Sequence, residues 1–365
     1  MKIEVLQEQL IKGLSIVERA VATRAQLPVL SHFLLEAKSE GLVLSATDLE
    51  IGVRVLVVAK VIEVGVAAIP AKMFNEFLAS LSPGKVEIKV EKESLVVSAN
   101  SYSARFQMIA AEEFPRLPEV KKESELGKLD AKDLIRAVGG VIFACARDSL
   151  RPVLTGVLWE IGKKKLRLIA TDGFRLGIEE VIMESESSGL NLLVPSRVVS
   201  EVVRLVPEGQ IIIGHLSATS QIYFKIGDIL IVSQLLEGNF PDYTKILPKE
   251  FTSELMVTRG ELLQAVRTTH IFARDNSNMV KWNVSEGKLR LTATSPEKGE
   301  CSAEVPIQLT GEASEIIFNA KFVLDYLGVS VGEKVWLGMG GKLAPGMFRD
   351  PEQKSGQYIV MPINA

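Results

Sequence analysis

Cysteine, histidine and long uncharged apolar runs are all scarce in this chain, and each shortage excludes a class of protein. Only two cysteines, Cys145 and Cys301, occur among 365 residues. Two distant cysteines cannot form a disulfide framework or a cysteine-rich metal site, and they fit a reducing compartment. The most apolar stretch, 53–69, contains three charged residues. It is therefore not a membrane span.

Signatures of catalysis and targeting are also missing. The three histidines, His32, His215 and His270, have no second ligand at metal spacing, and no HExxH, CxxC or Walker A motif occurs. Cys145 has no histidine near it in sequence, so we expect a buried thiol rather than a nucleophile. The first residues lack the apolar run of a signal peptide. We therefore expect a soluble cytoplasmic protein that is not an enzyme, with no metal, no cofactor and no membrane partner.

The overall charge does not favour a nucleic-acid partner. There are 42 basic and 45 acidic residues, which gives a formal net charge of −3. Proteins that bind nucleic acid usually carry a basic patch or an excess of positive charge. Any contact with phosphates must therefore be made by local clusters of lysine and arginine.

Long internal repeats are the strongest positive signal. Pro28-Val29-Leu30 recurs as Pro152-Val153-Leu154, and Ala46-Thr47-Asp48 recurs as Ala170-Thr171-Asp172. A weaker third copy ends in Ala293-Thr294-Ser295. The period is near 124 residues, whereas solenoid repeats run roughly 20–50 residues. The pattern predicts three homologous globular domains, at 1–120, 121–248 and 249–365.

Two aspartates occupy one position of the repeat and need no catalytic explanation. Asp48 and Asp172 occupy the same strand-to-turn position in two copies, and Ser295 replaces them in the third. A catalytic pair would need two carboxylates that converge on one substrate. We therefore expect Asp48 and Asp172 to have structural roles.

Each copy has two segments with helical periodicity among many short alternating strands. In the first of them Leu6, Leu10 and Val17 lie at helical spacing on one face. Proline or asparagine stands where the second helix of each copy begins, which suits a helix start. The predicted helices are 6–22, 71–81, 130–143, 195–206, 258–271 and 320–330. This content predicts an α+β fold, with antiparallel sheets covered on one face by two helices per copy.

Basic residues recur at one slot of the second helix. Lys72, Arg197 and Lys321 share this slot, and Arg204 follows Arg197 by seven residues, on the same face. One interpretation is that these are ordinary solvated helix faces. The triplication favours a common surface that contacts phosphates without reading bases, and such binding is weak and sensitive to salt.

Five motifs give the chain a family resemblance over essentially its whole length. They are Arg-Pro-Val-Leu at 151–154, Ala-Thr-Asp-Gly-Phe-Arg-Leu at 170–176, Phe-Pro-Asp-Tyr at 240–243, Phe-Asn at 318–319 and Val-Met-Pro at 360–362. With these motifs and its repeats, the chain resembles the beta subunit of bacterial DNA polymerase III, the sliding clamp. The resemblance implies a head-to-tail homodimer in which six clamp domains form a pseudo-six-fold ring. Sheets would lie outside and twelve helices would face double-stranded DNA.

The resemblance also implies what the ring would do and what it would bind. It would encircle duplex DNA regardless of sequence and confer processivity on the replicative polymerase. A peptide-binding groove would tether the polymerase alpha subunit, the clamp-loader complex, and other polymerases and repair proteins. The alternatives are a non-DNA scaffold that uses the same groove and a small-molecule binder or enzyme that uses the groove near Arg175.

Three sets of site residues follow from the resemblance, position by position. The DNA-binding set is Arg24, Lys72, Arg147, Arg197, Arg204 and Lys245. The groove set is Leu154, Thr171, Gly173, Phe174, Arg175, Leu176, Pro241, Ile246, Val360, Met361 and Pro362. The dimer-interface set pairs Arg105, Phe106 and Met108 of the first domain with Ile271, Phe272, Glu297, Glu300 and Glu304 of the third. At the groove, Phe174 stands where the family often has histidine.

Overall fold

The computed structural model describes residues 1–22, 27–148, 150–185, 189–205, 208–353 and 355–364. Arg24, one of the predicted DNA-binding residues, lies outside the described residues. Within them, no helix is both long enough and apolar enough to cross a membrane.

Six α-helices lie in the described part of the chain, two in each repeat. They are α1 (Gln7–Val17), α2 (Ala71–Ser80), α3 (Ala131–Val141), α4 (Ser196–Leu205), α5 (Arg259–Ala273) and α6 (Ala320–Val329). All six match the predicted segments. The prediction for α1 was too long at both ends, because Leu6 is the exposed N-cap residue and Glu18–Ala20 forms a 3₁₀ turn. Asn319 caps α6 as expected, since its Oδ1 accepts a hydrogen bond from the Lys321 amide at 3.0 Å.

The strands follow one order in all three repeats. The first repeat has β1 (Lys2–Leu6), β2 (His32–Lys38), β3 (Gly41–Thr47), β4 (Ile51–Val57), β5 (Lys60–Glu63), β6 (Gly65–Pro70), β7 (Lys85–Glu91), β8 (Ser94–Ala99) and β9 (Tyr102–Gln107). The second has β10 (Glu125–Asp130), β11 (Gly156–Gly162), β12 (Lys165–Thr171), β13 (Arg175–Ile182), β14 (Leu190–Pro195), β15 (Gln210–Leu216), β16 (Gln221–Ile226) and β17 (Ile229–Gln234). The third has β18 (Ser253–Thr258), β19 (Met279–Ser285), β20 (Lys288–Ser295), β21 (Gly299–Gly311), β22 (Ser314–Asn319), β23 (Lys334–Met339), β24 (Gly346–Arg349) and β25 (Gly356–Val360).

One helix follows the first strand of each repeat, and the other precedes its last three strands. The first repeat has one additional strand, because the long β21 of the third repeat corresponds to β4 and β5 together. The strand pairing shows this correspondence. In the first repeat β5 pairs with the first strand, β1, and in the third repeat the end of β21 pairs with the first strand, β18. The described ladders are all antiparallel, as the alternating sequence pattern predicted.

The chain packs as two compact units, each of which takes strands from two repeats. The first comprises Met1–Ala131 and Glu201–Leu235, and the second Lys132–Ser200 and Leu236–Ala365. The first unit holds a five-stranded sheet, β5-β1-β7-β8-β9, and an eight-stranded sheet, β10-β15-β16-β17-β4-β3-β2-β6. The second holds a twelve-stranded sheet, β14-β11-β12-β13-β25-β24-β23-β18-β21-β20-β19-β22. The repeat boundaries at 120 and 248 stay predictions.

Two strand pairings join successive repeats in the same way. In the first unit β4 pairs with β17, with Ile51 opposite Ser233. In the second unit β13 pairs with β25, with Arg175 opposite Val360. In both cases the fourth strand of one repeat pairs with the last strand of the next. We call these pairings the first and the second junction.

The helices bury apolar faces, as their periodicity predicts. In α1, Leu10, Leu14 and Val17 are fully buried. The buried Gln7 side chain donates hydrogen bonds to the carbonyl oxygens of Leu78 (3.0 Å) and Leu81 (3.1 Å). Since the last carbonyls of a helix have no partner within it, Gln7 satisfies the end of α2 and holds the two helices of the repeat together.

Candidate functional site

The turn between β12 and β13 is fixed by hydrogen bonds from two side chains. Thr171 Oγ1 donates to the Arg175 carbonyl at 2.6 Å and accepts from the Gly173 amide at 3.0 Å. Asp172 Oδ1 accepts from the amides of Phe174 (2.9 Å) and Arg175 (3.1 Å). Gly173 has φ +94°, a region that side chains other than glycine rarely adopt. Asp172 therefore has the structural role expected for it.

Arg175 is buried at the end of this turn and has a partner for each side of its guanidinium. Nε donates to Asp172 Oδ2 at 2.9 Å, and Nη1 donates to Asp325 Oδ2 at 2.5 Å. Nη2 donates to the Phe143 carbonyl at 2.5 Å. The Phe322 ring lies 4.5 Å from the guanidinium carbon. A buried charge is tolerated only when it is paired and hydrogen-bonded, as it is here.

A cavity of about 200 Å³ opens beside this turn in the second unit. Apolar side chains dominate its lining, and a few polar groups stand among them. Its lining residues are Arg151, Leu154, Thr171, Gly173, Arg175, Leu176, Pro241, Asp242, Tyr243, Ile246, Ile359 and Met361. A concave apolar site with a few polar groups is the usual form of a ligand or peptide pocket. We call this cavity the groove.

Eight of the eleven predicted groove residues line this cavity. Phe174, Val360 and Pro362 do not. Phe174 is 60% exposed beside it, and its carbonyl accepts a hydrogen bond from the Met361 amide at 2.9 Å. Val360 is fully buried in β25, because it pairs with Arg175 and its side chain faces the core. Pro362 is half-buried.

Four lining residues were missed by the sequence reasoning: Arg151, Asp242, Tyr243 and Ile359. Arg151, Asp242 and Tyr243 lie within quoted motifs and Ile359 lies next to one, so the motifs were the signal that could have found them. Tyr243 is buried, and its hydroxyl donates to Glu160 Oε2 at 3.0 Å. Burial raises the pKa of this phenol, so Tyr243 remains neutral at ordinary pH.

The predicted DNA-binding residues that the structure describes are all exposed: Lys72, Arg147, Arg197, Arg204 and Lys245. Two of them also have acidic neighbours. Arg204 Nη1 lies 3.3 Å from Glu201 Oε1, and Lys245 Nζ lies 3.3 Å from Asp242 Oδ2. The pair with Asp242 places Lys245 beside the groove as well. Exposed ion pairs of this kind contribute little stability, so they leave both cations able to exchange partners.

The predicted interface residues lie on or near two open strand edges. In the first unit, β9 is the edge strand and pairs with β8 alone. In the second, residues 299–306 of β21 pair with β20 on one side, and no described strand lies on the other. Arg105 lies on β9, while Glu300 and Glu304 lie on β21, and all three are exposed. Ile271 and Glu297 are exposed, whereas Met108 and Phe272 are half-buried.

Phe106, another residue of the predicted interface, is buried within the single chain. Its ring packs edge-on against Phe74 at 5.4 Å and Phe77 at 5.7 Å. Because successive residues of a strand point to opposite faces, Phe106 faces α2 while Arg105 faces solvent. Phe106 therefore belongs to the core of the first repeat. Its place in the interface with a second chain stays a prediction.

Two further features of the described residues concern reactive groups: a buried cysteine and the search for metal-binding clusters. Cys145 is buried, and burial raises its thiol pKa to about 12, so the nucleophilic thiolate is scarce. The described residues contain no cluster of three or more histidine, cysteine, aspartate or glutamate side chains that could hold a metal ion.

Comparison with known families accounts for the repeats. Models of the N-terminal, central and C-terminal domains of the DNA polymerase III beta subunit match residues 1–118, 128–242 and 244–364. This chain belongs to the DNA polymerase III beta subunit family. The predicted α+β fold of three repeated clamp domains, each with antiparallel sheets and two helices, is confirmed.

Individual members of the family align along their full length. The beta sliding clamp of Chlamydia muridarum is 31% identical over 365 residues, with 100% of this chain and 99% of the relative covered. The crystal structure of the Thermotoga maritima beta subunit superposes with a TM-score of 0.91 at 30% identity, over 100% and 99% of the two chains. A Pseudomonas aeruginosa sliding clamp bound to griselimycin superposes with a TM-score of 0.92 at 28% identity, with both chains fully covered.

Proposed function

We propose that this chain is a non-catalytic sliding clamp. Two copies close head to tail into a ring around double-stranded DNA. The ring tethers the replicative polymerase, through its alpha subunit, to the template. The groove receives peptides from that polymerase, from the clamp loader, and from other polymerases and repair proteins, in the cytoplasm.

The observation that carries this proposal is a pair of strand edges that could form a third junction but have no partner strand among the described residues. The fourth strand of the first repeat pairs with the last strand of the second, and the fourth strand of the second pairs with the last strand of the third. By the same rule, β21 of the third repeat should pair with a strand equivalent to β9. Both edges are open within the described chain. A second copy can supply each missing strand, and two such heterologous contacts close a ring.

Charge on the two edges supports this pairing. β9 carries Arg105, while the open part of β21 carries Glu300 and Glu304. Opposite charges that face each other across an interface favour the correct partner and register. Arg105 Nη2 already lies 2.9 Å from Glu91 Oε2, and Arg290 Nε lies 2.8 Å from Glu304 Oε1. Closure therefore exchanges or extends these exposed pairs rather than burying bare charges.

Retention on DNA tests the ring directly. After loading onto nicked circular or linear duplexes, the complexes are challenged with high salt, which weakens contacts made only to phosphates. We expect retention on circles and loss from linear ends, because a closed ring leaves only by sliding off. Equal loss from both substrates would contradict the clamp. Groove binding that persisted without retention on circles would instead favour a scaffold.

A surface substitution tests the third junction without disturbing the core. Ile271 is 58% exposed on α5 and belongs to the predicted interface. We expect Ile271→Asp to convert dimers to monomers in light scattering, since a charge would have to be desolvated on closure. The matched control is Val331→Asp, another exposed apolar residue outside the predicted interface. A dimer mass for both variants would refute the interface assignment.

A further inference from the structure

We infer that Asp325, on α6, is a positioning residue of the groove: it acts through Arg175 and does not line the cavity. Residues 172–175 line or border the groove, whereas Asp325 is absent from the described lining. The two residues are 150 positions apart and come from different repeats. The inference rests on the proposed use of the groove for binding.

The geometry makes Arg175 a link between three segments of the second unit. Asp172 fixes it to its own turn, the Phe143 carbonyl to the 3₁₀ segment after α3, and Asp325 to α6. Asp325 is the sole acidic residue of α6. Without its carboxylate, Nη1 would lack a charged acceptor in a site where Arg175 is only 6% exposed. Rotation of the guanidinium toward the cavity would then become its best route to water.

Helix α6 is itself well anchored, so Asp325 can hold a side chain in place. The Tyr358 hydroxyl donates to the Phe322 carbonyl at 3.0 Å, and the Tyr326 and Tyr358 rings stack with centroids 5.1 Å apart. Tyr358 lies on β25, the strand that pairs with β13. The helix is thus fixed to the same sheet that carries Arg175. A carboxylate on a fixed helix restrains the guanidinium to one rotamer, and preorganisation of this kind raises affinity without adding contacts to the ligand.

The first experiment compares binding of griselimycin to the full-length dimer by isothermal titration calorimetry. We expect Asp325→Asn to weaken binding about tenfold, with a thermal unfolding midpoint close to that of the unchanged protein. Asp325→Glu, which keeps the charge on a longer side chain, should recover part of the affinity. Glu333→Gln is the matched control, because Glu333 is exposed and lies just beyond α6. It should bind as the unchanged protein does.

A double-mutant cycle separates action through Arg175 from general stabilisation. If Asp325 acts through Arg175, then Asp325→Asn should cause little further loss of affinity in an Arg175→Gln background. Independent, additive losses would overturn the inference, as would an unchanged affinity for Asp325→Asn alone. A lowered unfolding midpoint with unchanged affinity would assign Asp325 a purely structural role.

Failure of the proposed groove function can be distinguished from failure of the inference about Asp325. If the unchanged protein did not bind griselimycin, the groove assignment would fall and this inference with it. Retention on circular DNA would still report on the ring independently.

Discussion

The turn of the first junction and the turn of the second have the same hydrogen bonds but different surroundings. In the first, Thr47 Oγ1 donates to the Ile51 carbonyl at 2.9 Å, and Asp48 Oδ1 accepts from the Ile51 amide at 2.9 Å. These bonds correspond one for one to those of Thr171 and Asp172 in the second. The repeated Ala-Thr-Asp motif therefore builds one turn twice, and the motif by itself does not make a binding site.

The difference lies in what fills the space beside each turn. At the first junction, Leu117 packs against Gly52, so closely that a Cβ at residue 52 would lie 2.2 Å from its Cδ2. At the second, Leu176 corresponds to Gly52 in the repeat, and its neighbours leave an open cavity with Ile246 at the rim. At the preceding position of the repeat, Ile51 of the first turn stands where the second turn has the buried Arg175. The space beside the first turn is filled by Leu117 of the connector, whereas the space beside the second turn is the groove.

Among substitutions that test this comparison, Gly52→Leu should have the largest effect on stability. The added side chain meets Leu117, and overpacking of this kind costs about 1–3 kcal/mol. We expect the free energy of unfolding, measured by urea denaturation, to fall by an amount near the upper end of this range. Leu117→Ala in the same chain should recover part of the loss. If the double variant were no more stable than Gly52→Leu, Leu117 would not be the residue that fills this space.

A smaller loss of unfolding free energy is expected from Gly173→Ala. The backbone at Gly173 has φ +94°, and a Cβ there would lie 3.3 Å from Arg151 Nη1. A left-handed conformation costs roughly 1–2 kcal/mol for a residue other than glycine. Unfolding free energies should show this loss. Gly139→Ala is the control, because its Cβ meets nothing within 4 Å and it lies in α3. A similar loss in the control would exclude the φ explanation.

Ile246→Ala should distinguish the two junctions through its effect on ligand affinity rather than on stability. Ile246 is 37% exposed at the groove, so truncation removes apolar contact with a ligand but little core packing. About 1 kcal/mol of lost contact corresponds to roughly fivefold weaker binding, measurable by griselimycin titration. Leu117→Ala, beside the turn of the first junction, should leave this affinity unchanged. Equal weakening by both variants would mean that the two sites are not distinct.

The smallest effect should come from Leu49→Gly. Leu49 has φ +79° where the second turn has Gly173. Glycine relieves the strain but loses more chain entropy on folding, and the two terms are of similar size. We expect a change in unfolding free energy within about 0.5 kcal/mol. A loss larger than that of Gly173→Ala would show that the Leu49 side chain, and not the backbone, stabilises this turn.

The sequence predicted the periodic features well. The helices follow from apolar residues at helical spacing and the strands from alternation of apolar and polar residues. Eight residues that line the groove follow from motifs that resemble a family. The packing of Phe106 against α2 could not be predicted, because the sequence does not show which face of β9 the helix covers. Nor could Asp325 be linked to Arg175, since a contact between different repeats leaves no local signal.

The three junctions differ in how their strands are held together once a ring exists. At the first and second, both strands belong to one chain, so a separated pair remains at a high effective concentration and can re-form as an intramolecular event. At the proposed third junction the strands belong to different chains, and a separated pair can diffuse apart once the ring's other contact between chains has also broken. The ring should therefore part at the junctions between chains, and the fraction of chains in rings off DNA should fall on dilution while the two tethered junctions stay intact.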